Sequence, residues 1–585
     1  VPMHAIARSV TFAPVGGFHS GVKHSPSSCI VAAVAHSVRN HATSRPATNV
    51  AASSGMLTTT TVTTPEVILA LQNGSDVRGV ATEGVQGESV ALNEEAAFLI
   101  GTAFVHWLAK RVNKQIPELK IAVGRDPRLS GPALVSALFS GFVAEGLKNG
   151  IDVGLSTTPA CFMTTITKET NCDAGVMLTA SHLPFNRNGM KFFTKQGGLD
   201  SEDISQICTA AAKRCKETPG GHPVSVPDVD GNVAISGVVC SEYLLTHYSK
   251  MLRELIIEGV GAGDKPLEAM KIVVDAGNGS GGFFATHVLE PLGADISGSV
   301  FLNPDGSFPN HAPNPEDPYA MSFARDVTVN TDADLGIIFD TDVDRSAVIG
   351  KGGDSINRNK LIALLSAIVL EEHPGSTIVT DSVTSDGLAS FIESKGGNHL
   401  RYMRGYKNVI NKGKELNEDG VETHLMIETS GHGAMKENHN LDDGAYIAVK
   451  IIIQAVKMRA AGEGGISDLL SELQEPLEER EVRLKIKAAD FKAVGLAVID
   501  NLKKDVKAGK FEGYSPLDIN YEGLRVRVDE GTGAFGWFLL RQSLHDPVMV
   551  LNFESEVHGG VEIMAKALKT WFFEKDFEDV DVSAM

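Results

Sequence analysis

The sequence has few cysteines, no long apolar run and too few basic residues to balance its acidic ones. Its 585 residues include six cysteines, and none of them forms a CxxC pair. This density does not support a disulfide scaffold or a zinc knuckle, and it is typical of a reducing, intracellular compartment. No apolar run reaches the roughly 20 residues that cross a bilayer. The formal net charge of −20 disfavours nucleic acids and anionic membranes as partners, and we expect neither.

Residues 1–65 contain no acidic side chain. Eighteen of them are Ser or Thr, and their charged residues are all Lys or Arg. An N-terminal segment of this composition is typical of an organelle transit peptide. The alternative is a disordered tail that carries no address.

From about Glu66 onwards, apolar strands alternate with amphipathic helices. A chain of this length is expected to form three to five domains of roughly 100–200 residues each. Alternation of strand and helix is typical of an α/β fold with buried strands. The clearest elements are the strands KIAVG (120–124), IDVGL (151–155) and AGVML (174–178), and the helix GPALVSALFSGFVAEGL (131–147).

Three segments open with similar strands, KIAVG, KIVVD and TIVTD. We therefore predict three related α/β domains followed by a different C-terminal domain. A Gly- and Pro-rich break at 218–232 is either a further seam or a long loop within the first domain. The predicted segments are 1–65 (transit peptide or disordered tail), 66–258, 259–374 and 375–476 (the three α/β domains) and 477–585 (the C-terminal domain).

The stretch TASHLPFNRNGMKFF (179–193) follows the strand AGVML and places Ser181 beside His182. A serine next to a histidine suggests a nucleophile with its base. A polar turn between two strands is an equally good explanation. The stretch alone does not exclude a hydrolase-like dyad.

The stretch LGIIFDTDVDRSAV (335–348) runs from an apolar strand into Asp340, Asp342 and Asp344, followed by Arg345. In an extended chain these three carboxylates fall on one face. They would repel one another without a cation, so the pattern favours a Mg²⁺ site. The alternatives are a solvated acidic turn and a haloacid-dehalogenase-type phosphatase with Asp340 as nucleophile. The phosphatase alternative leaves Arg345 and the Ser181 loop without a role.

The stretch MIETSGHGAMKENHNLDDG (426–444) places Glu428, Ser430 and His432 after a third apolar strand. Glu428 is able to accept hydrogen bonds from two adjacent sugar hydroxyls, and Ser430 adds another polar group. Gly431 allows the backbone to turn close to a ligand. His432 is suited to proton transfer near neutral pH. The alternative is a loop that only caps the next helix.

Two further stretches are basic in an otherwise acidic chain. VGRDPRLSG (123–131) sets Arg125 and Arg128 around a turn, and GWFLLRQSLHDPVMVL (536–551) places Arg541 and Ser543 between two apolar strands. An arginine together with a hydroxyl group is suited to binding a phosphate dianion. Each stretch taken alone is also consistent with a surface salt bridge.

Together these stretches resemble the α-D-phosphohexomutase family over residues 66–580. TASHLPFNRNGMKFF resembles the family's phosphoserine loop, FDTDVDRS its metal loop, IETSGHG its sugar-binding loop and GWFLLRQSLHDP its C-terminal phosphate loop. NGSDVRGV (73–80), VGRDPRLSG, FLNPDGSFPNHAPNPE (301–316) and RGYKNVI (404–410) resemble further family segments. The resemblance implies four domains around a central cleft, three α/β and one α+β.

The resemblance also implies site residues and cofactors. Ser181 would be phosphorylated, with His182 beside it, and Lys191, His432 and Arg78 would be the candidates for proton transfer. Asp340, Asp342, Asp344 and a phosphoserine oxygen would hold Mg²⁺. Sugar-phosphate ligands would be Arg345, Glu428, Ser430, Arg404 and Lys407, and phosphate ligands Arg541, Ser543 and Arg125.

The activity that this implies is interconversion of hexose 1-phosphate and hexose 6-phosphate, with glucose or mannose as the sugar. A hexose 1,6-bisphosphate would serve as intermediate and activator, and small sugar phosphates would be the only partners expected. The resemblance gives no oligomeric state. A transit peptide on such an enzyme suggests the plastid stroma, with the mitochondrion or the cytoplasm as alternatives.

The sequence departs from the family pattern in two loops. Leu183 stands where the serine loop usually has Asn, and the phosphate loop continues as Leu544, His545 and Asp546 instead of the usual small residue and Thr. His545 offers a different donor. These departures leave a phosphoglucosamine mutase and a catalytically weak sugar-phosphate-binding relative as alternatives.

Overall fold

The computed structural model of the protein describes residues 62–217, 237–543 and 546–585. The predicted transit peptide lies outside the described residues up to residue 61, as do residues 218–236 and the pair Leu544 and His545. Within the part of the chain that is described, no helix is long and apolar enough to cross a membrane.

The first α/β pattern folds as a mixed sheet whose central strands are parallel, with β3 between β4 and β5. Its sheet order is β1-β2-β6-β5-β3-β4-β8, and β7 pairs with β6. The strands are β1 (Gln72–Asn73), β2 (Asp76–Val80), β3 (Lys120–Arg125), β4 (Asn149–Leu155), β5 (Ala174–Leu178), β6 (Arg187–Thr194), β7 (Gly197–Gly198) and β8 (Val238–Cys240). The helices are α1 (Pro65–Ala70), α2 (Glu94–Val112), α3 (Gly131–Ala144), α4 (Thr158–Met163) and α5 (Ser201–Glu217).

The predicted strands at 120, 151 and 174 are confirmed as β3, β4 and β5. The predicted helix 131–147 is confirmed as α3, which ends at Ala144 and therefore runs three residues short of the prediction. Gly146 adopts φ 100° just beyond this end, a conformation that stops a right-handed helix.

The second and third patterns form smaller sheets, in the orders β12-β11-β10-β9 and β14-β13-β15-β16-β17. Their strands are β9 (Ile272–Asp275), β10 (Leu335–Phe339), β11 (Ser346–Gly350), β12 (Ser355–Ile356), β13 (Thr377–Thr380), β14 (Asn398–Arg401), β15 (Leu425–Ile427), β16 (Gly433–Met435) and β17 (Leu441–Asp442). Their helices are α6 (Ser249–Val260), α7 (Pro318–Asn330), α8 (Asn359–Glu372), α9 (Asp386–Ser394), α10 (Tyr406–Glu418) and α11 (Gly444–Ala461). The strands predicted from KIVVD and TIVTD are β9 and β13.

The C-terminal segment is an antiparallel sheet of order β19-β20-β21-β22-β18-β23 with two helices. Its elements are β18 (Glu478–Ile486), α12 (Phe491–Lys507), β19 (Tyr514–Pro516), β20 (Leu524–Gly531), β21 (Ala534–Gln542), β22 (Val548–Ser555), α13 (Gly560–Glu574) and β23 (Val580–Asp581). Single 3-10 or π-helical turns lie at Ile116–Glu118, Leu244–Tyr248, Phe284–Leu289, Glu290–Leu292, Lys436–Asn438 and Ile466–Leu470.

The three α/β sheets share one local arrangement. In each, a buried strand is followed by a short loop and then by an antiparallel partner: β5 by β6, β10 by β11, and β15 by β16. The three intervening loops are the serine, aspartate and glutamate stretches singled out in the sequence. This repetition confirms the predicted fold of three related α/β domains and a distinct C-terminal domain. The predicted domain boundaries stay predictions.

Packing joins the first three domains more closely than it joins the fourth. One cluster of buried apolar residues includes Met177, Phe339, Leu361 and Ile447, which come from three different sheets or their helices. The C-terminal domain has its own core around Phe538. Its attachment to the third domain therefore depends on a smaller set of contacts.

Arg525 on β20 makes several of the polar contacts that join the C-terminal domain to the third domain. Its guanidinium is buried, donates to the carbonyl oxygens of Ser382 and Thr384 at 2.9 and 3.1 Å, and pairs with Asp386 at 2.9 Å. The same group lies 3.5 Å from the centre of the Trp537 ring.

We expect Arg525→Ala to lower the free energy of unfolding of the C-terminal domain by about 3 kcal/mol, because buried acceptors lose their donor. Denaturant unfolding followed by Trp fluorescence checks this result. Arg527→Ala is the matched control, since Arg527 is exposed on the same strand. Equal losses in the two variants would contradict the expectation.

A second stability prediction concerns His311, in the segment 301–316 of the second domain. Its Nε2 lies 2.9 Å from Asp275 Oδ2, and both side chains are buried. Burial lowers the pKa of His311, but the hydrogen bond and charge of Asp275 outweigh it, so the pKa is raised overall. The stability that comes from this shift is therefore complete below the unfolded pKa near 6.5 and lost as pH rises through the folded pKa.

We expect the melting temperature of the wild type to exceed that of His311→Gln by more at pH 6 than at pH 9. Each unit of raised pKa corresponds to about 1.4 kcal/mol at the lower pH. Melting curves of both proteins across this range measure the effect. A difference that does not change with pH would contradict the prediction.

Candidate active site

The serine, aspartate and glutamate loops meet at the carboxyl ends of β5, β10 and β15, the edge where open α/β sheets bind ligands. Residues Arg345 and His432 form an antiparallel bridge between the second and third loops. Arg345 also reaches Ser181 in the first loop. The structure thus brings together three stretches that lie up to 250 residues apart in the sequence.

Ser181 is buried and adopts φ 51°, which is uncommon outside glycine, asparagine and aspartate. Its Oγ donates to Asp340 Oδ2 at 3.1 Å and accepts from Arg345 Nη2 at 3.0 Å. The hydroxyl is therefore held between an acid and a cation that both belong to the second domain.

His182 does not act on Ser181 as the base of a hydrolase dyad. Its Nδ1 lies 3.5 Å from Ser181 Oγ and 2.9 Å from Arg345 Nη2, which donates to it. His182 is exposed on its outer side, but desolvation of its inner side and the charges of Arg345 and Arg78 hold the pKa of the imidazole below its usual value. The imidazole is neutral at pH 7, and its nearest ring nitrogen is occupied as an acceptor for Arg345.

The three aspartates are buried, with 0 to 2 % of each residue exposed. Their ligand oxygens all lie within 4.8 Å of one another. They converge through a turn and not through the extended chain that we expected, because residues 340–344 leave the strand geometry and Val343 adopts φ 64°. A β-branched residue in this conformation is strained. The expected Asp340, Asp342 and Asp344 cluster is present, but it is built differently.

Lys191 pairs with two of the three aspartates, and Arg345 pairs with the third. Lys191 Nζ donates to Asp342 Oδ2 at 3.0 Å and also to Asp344 Oδ2. Burial lowers the pKa of Lys191, but the two carboxylates raise it far more, so the amine stays an ammonium ion. The same ion, with Arg345, lowers the pKa of Asp344 against the effect of burial.

The aspartate cluster fits a divalent cation. Asp342 Oδ1 and Asp344 Oδ1 are buried and have no hydrogen-bond partner among the described residues. Buried, unpartnered carboxylate oxygens are costly unless a cation or a donor meets them. Hard oxygen donors at this spacing are the ligands that Mg²⁺ prefers.

The third loop, which carries Glu428, Ser430 and His432, approaches the aspartate cluster through His432. Glu428 Oε1 accepts from the Gly405 amide at 2.6 Å, and burial followed by the charge of Asp381 raises the pKa of Glu428 to about 8. His432 Nδ1 lies 2.9 Å from Ser430 Oγ, and its Nε2 lies 3.7 Å from Asp344 Oδ1. Burial, Arg345 and Lys191 lower the pKa of His432 well below 6.5, so this imidazole is neutral.

Two groups that sequence reasoning missed surround His432. Tyr406 stacks on the imidazole with ring centres 5.4 Å apart, and Asp442 Oδ2 lies 3.8 Å from Nε2. Neither residue follows an apolar strand in the pattern that located the other site residues. Tyr406 lies within RGYKNVI and Asp442 within the DDG that ends the glutamate stretch, but nothing in either stretch marked these two residues as part of the site.

The arginines of the first domain lie behind the serine loop. Arg78 Nη1 donates to the Ala180 carbonyl at 3.1 Å, and its Nη2 pairs with Asp76 at 2.9 Å. Arg128 donates directly to the Ser181 carbonyl. Arg125 lies at the end of β3, where burial lowers its pKa against the charges of Asp152 and Asp126.

A second basic site lies where the third and fourth domains meet. Glu522 accepts from the backbone amide of Arg404 at 3.1 Å, and its Oε1 lies 3.9 Å from Arg541 Nη1. Arg541 Nε is buried and has no hydrogen-bond partner among the described residues. The predicted sugar-phosphate ligand Arg404 and the predicted phosphate ligand Arg541 are therefore neighbours. The Ser543 amide donates to the Val548 carbonyl oxygen.

Lys407 does not contact the Arg404 and Arg541 pair, and its side chain extends towards the first domain. Its Nζ donates to the carbonyl oxygen of Leu199 in the first domain, and burial lowers its pKa. It lines a cavity of about 60 Å³ together with Lys191, Asp344 and Tyr406. Lys407 thus links the third domain to the first across the floor of the site, apart from the Arg404 and Arg541 pair.

Comparisons with known proteins agree with this geometry. Family models described as phosphoglucomutase/phosphomannomutase, alpha/beta/alpha domains I, II and III, match residues 70–218, 247–353 and 357–476. A phosphomannomutase/phosphoglucomutase of Pseudomonas aeruginosa is 31 % identical over 503 residues, which cover 86 % of this chain and 95 % of the relative. A phosphoglucomutase of Neisseria meningitidis is 29 % identical over 498 residues, covering 84 % and 95 %.

Solved structures agree as well. A phosphoglucomutase/phosphomannomutase family protein of Burkholderia thailandensis superposes with a TM-score of 0.66 at 27 % identity, covering 86 % of this chain and 97 % of that one. The open form of pp63/parafusin from Paramecium gives 0.63 at 17 % identity, which supports the fold alone. Four domains of this topology, with a buried serine against an acidic triad, define a phosphohexomutase. The chain belongs to the phosphoglucomutase/phosphomannomutase family.

Proposed function

We propose that this protein interconverts hexose 1-phosphate and hexose 6-phosphate, with glucose or mannose as the sugar, through a phosphorylated Ser181 and a hexose 1,6-bisphosphate. The observation that carries the proposal is the position of Ser181 Oγ, held at 3.0 to 3.1 Å between Arg345 and Asp340 at the edge of the acidic triad. The relatives' names point to the same substrates.

The first step transfers the phosphoryl group from Ser181 to the free hydroxyl of the hexose phosphate. The bond between phosphorus and Ser181 Oγ breaks, a bond to the sugar oxygen forms, and the sugar hydroxyl loses its proton. Arg345 Nη2 donates to Oγ and so stabilises the negative charge on the departing serine oxygen. Reorientation of the bisphosphate and reversal of this step on its other phosphate return the group to Ser181.

Of the proton-transfer candidates, His432 is the one suited to accept the hydroxyl proton, because its imidazole is neutral, whereas the raised pKa values of Lys191 and Arg78 keep both groups protonated. Lys191 holds its proton and balances the charge of Asp342 and Asp344. Asp340, Asp342 and Asp344 would hold Mg²⁺, and the ion when bound would neutralise charge on the phosphoryl oxygens.

The phosphate that is not transferred would bind at the domain junction, where Arg404 and Arg541 lie on either side of Glu522. Glu428 would accept hydrogen bonds from sugar hydroxyls between the two ends. The bisphosphate would also serve as activator, since it phosphorylates an unphosphorylated Ser181.

One experiment compares glucose 1-phosphate, mannose 1-phosphate and glucosamine 1-phosphate as substrates, with Mg²⁺ and a trace of hexose 1,6-bisphosphate. We expect isomerisation of glucose or mannose 1-phosphate, and an intact mass higher by one phosphoryl group that maps to Ser181. Faster turnover of glucosamine 1-phosphate would favour a phosphoglucosamine mutase. Binding without turnover would indicate the catalytically weak relative.

We also propose that the protein resides in the plastid stroma, which is supported by the composition of residues 1–65. Fusion of these residues to a fluorescent reporter in plant cells tests the proposal. Chloroplast fluorescence is the expected result, and mitochondrial or cytoplasmic fluorescence would overturn it.

A further inference from the structure

The Arg128 side chain donates hydrogen bonds to the serine loop, and all the acceptors in the loop are backbone carbonyl oxygens. Nη2 donates to the carbonyl oxygens of Ser181 and Leu183 at 2.6 and 2.7 Å, and Nη1 to those of Pro184 and Arg187 at 2.6 and 3.0 Å. Nε donates to Asp126 Oδ2 at 3.0 Å. All five N–H bonds of the guanidinium are thus directed at acceptors.

This arrangement is built in the interior of the first domain. Arg128 and Asp126 are both fully buried. Asp126 Oδ1 also accepts from the Arg128 backbone amide at 3.0 Å, which fixes the turn that carries the arginine. A buried cation is costly unless its hydrogen bonds are satisfied, and here the serine loop supplies four of the five acceptors. Lysine offers three donors without the planar fork, so it cannot replace them.

The second domain covers the same turn. The Phe308 ring centre lies 5.2 Å from the Arg128 guanidinium. A Cβ on Gly306 would lie 2.2 Å from the Pro127 carbonyl oxygen, so only glycine allows this approach. The segment that carries Phe308 continues to Glu316, whose carboxylate lies 3.4 Å from Arg345 Nη1. Arg128 is therefore packed between the serine loop and the domain that holds the acidic triad.

We propose that Arg128 is a positioning residue for phosphoryl transfer, which fixes Ser181 Oγ relative to Asp340 and Arg345. The proposal rests on the mutase function proposed above. It explains how the serine loop accommodates Leu183 where the family usually has Asn. Arg128 holds this position through the backbone carbonyl oxygen, so the loop needs no side-chain amide there. It also accounts for the positive φ of Ser181, a conformation that needs support from the surrounding structure.

The test compares Arg128→Lys with Arg111→Lys, a matched control on α2 of the same domain, whose exposed side chain lies over the Trp107 ring and does not belong to the serine loop. We expect Arg128→Lys to lower kcat about 100-fold, as for a reacting atom displaced by about 1 Å. The KM for hexose 1-phosphate should stay within about threefold, since the distal phosphate site is untouched. Phosphorylation of Ser181 by the bisphosphate should slow in parallel, and Arg111→Lys should match the wild type.

A second readout does not depend on activity. Amide hydrogen exchange in the serine loop, residues 179–188, should accelerate about tenfold or more in Arg128→Lys, because four carbonyl contacts are lost. If the wild type itself shows no isomerisation, the mutase function fails, whereas this exchange measurement still decides the role of Arg128. Wild-type kcat and wild-type exchange in Arg128→Lys would overturn the proposal.

Phe308→Leu keeps the proposal testable if Arg128→Lys does not fold. This variant removes only the ring over the guanidinium, and we expect kcat to fall about threefold to tenfold with an unchanged KM. A loss that appears only in KM, or only in proportion to unfolded protein, would overturn the assignment.

Discussion

Ser181→Ala is expected to lower kcat for the isomerisation of hexose phosphates by about 10⁴-fold or more. The loss follows from the chemistry, because no other hydroxyl of the described residues lies between Asp340 and Arg345 where Ser181 Oγ stands. Without this oxygen, no phosphoenzyme forms and no bisphosphate is made. Steady-state kinetics and intact mass measure the two consequences separately.

The matched control for this variant is Ser390→Ala. Ser390 is exposed on α9 and its hydroxyl donates within its own helix, so turnover should equal that of the wild type. Affinity for hexose phosphate should be largely retained in Ser181→Ala, since Arg404, Arg541 and Glu428 remain. A variant that kept a tenth of the wild-type turnover would contradict the phosphoserine mechanism.

The same pair of assays examines the phosphatase alternative built on Asp340. Asp340 Oδ2 accepts from both Ser181 and Arg345, so it supports the serine instead of standing free as a nucleophile. Asp340→Asn and Ser181→Ala should therefore both abolish isomerisation. Release of free phosphate that survived Ser181→Ala but not Asp340→Asn would restore the phosphatase alternative.

The positions of the main site residues could be predicted because each lies within three residues of the end of an apolar strand. Ser181, Asp340 and Glu428 stand just after β5, β10 and β15, and the carboxyl ends of such strands lie at one edge of a sheet. Periodicity locates the strands, and the polar residue that follows each of them is then visible. Locating these three residues therefore needs no knowledge of how the domains pack, whereas their convergence depends on the packing of three separate sheets.

The other features of the site depend on packing between the domains or on the local turn, and neither leaves a recognisable pattern in the sequence. The family resemblance pointed to Arg125 in VGRDPRLSG as a phosphate ligand and gave Arg128 no role, yet the structure places Arg128 on the serine loop. Glu522 joins Arg404 to Arg541 across a domain junction and belongs to no recognisable pattern. The turn at Val343 was also hidden, because alternating aspartates after a strand resemble its continuation.

Lys191→Met is the second variant for which we expect a large effect, with kcat lowered about 10³-fold because the charge that stabilises the site is lost. The amine is buried, and it donates to two of the three aspartates. Its removal leaves Asp342 and Asp344 unbalanced next to Asp340, and the carboxylates no longer have a fixed geometry. Lys195→Met is the matched control, because Lys195 is exposed just beyond the same strand.

The pH dependence of the wild type bears on the same residue. Because the two aspartates raise the pKa of Lys191 well above its usual value, against the effect of burial, the amine keeps its proton at neutral pH. We therefore expect no ionisation of Lys191 in the kcat profile between pH 6 and 9. A limb in this range that disappeared in Lys191→Met would contradict the assigned charge.

Measurements of the free energy of unfolding distinguish two roles for Lys191, namely charge balance of the aspartates and proton transfer. If Lys191 balances the acidic triad, Lys191→Met loses about 3 kcal/mol of stability without metal, because buried carboxylates lose their partner. A divalent cation that binds only the folded state restores part of this loss. Mg²⁺ should then raise the melting temperature of Lys191→Met more than that of the wild type or of Lys195→Met. Equal shifts in all three proteins would show that Lys191 and the cation do not share the same carboxylates, and the fall in kcat would then have to come from proton transfer alone.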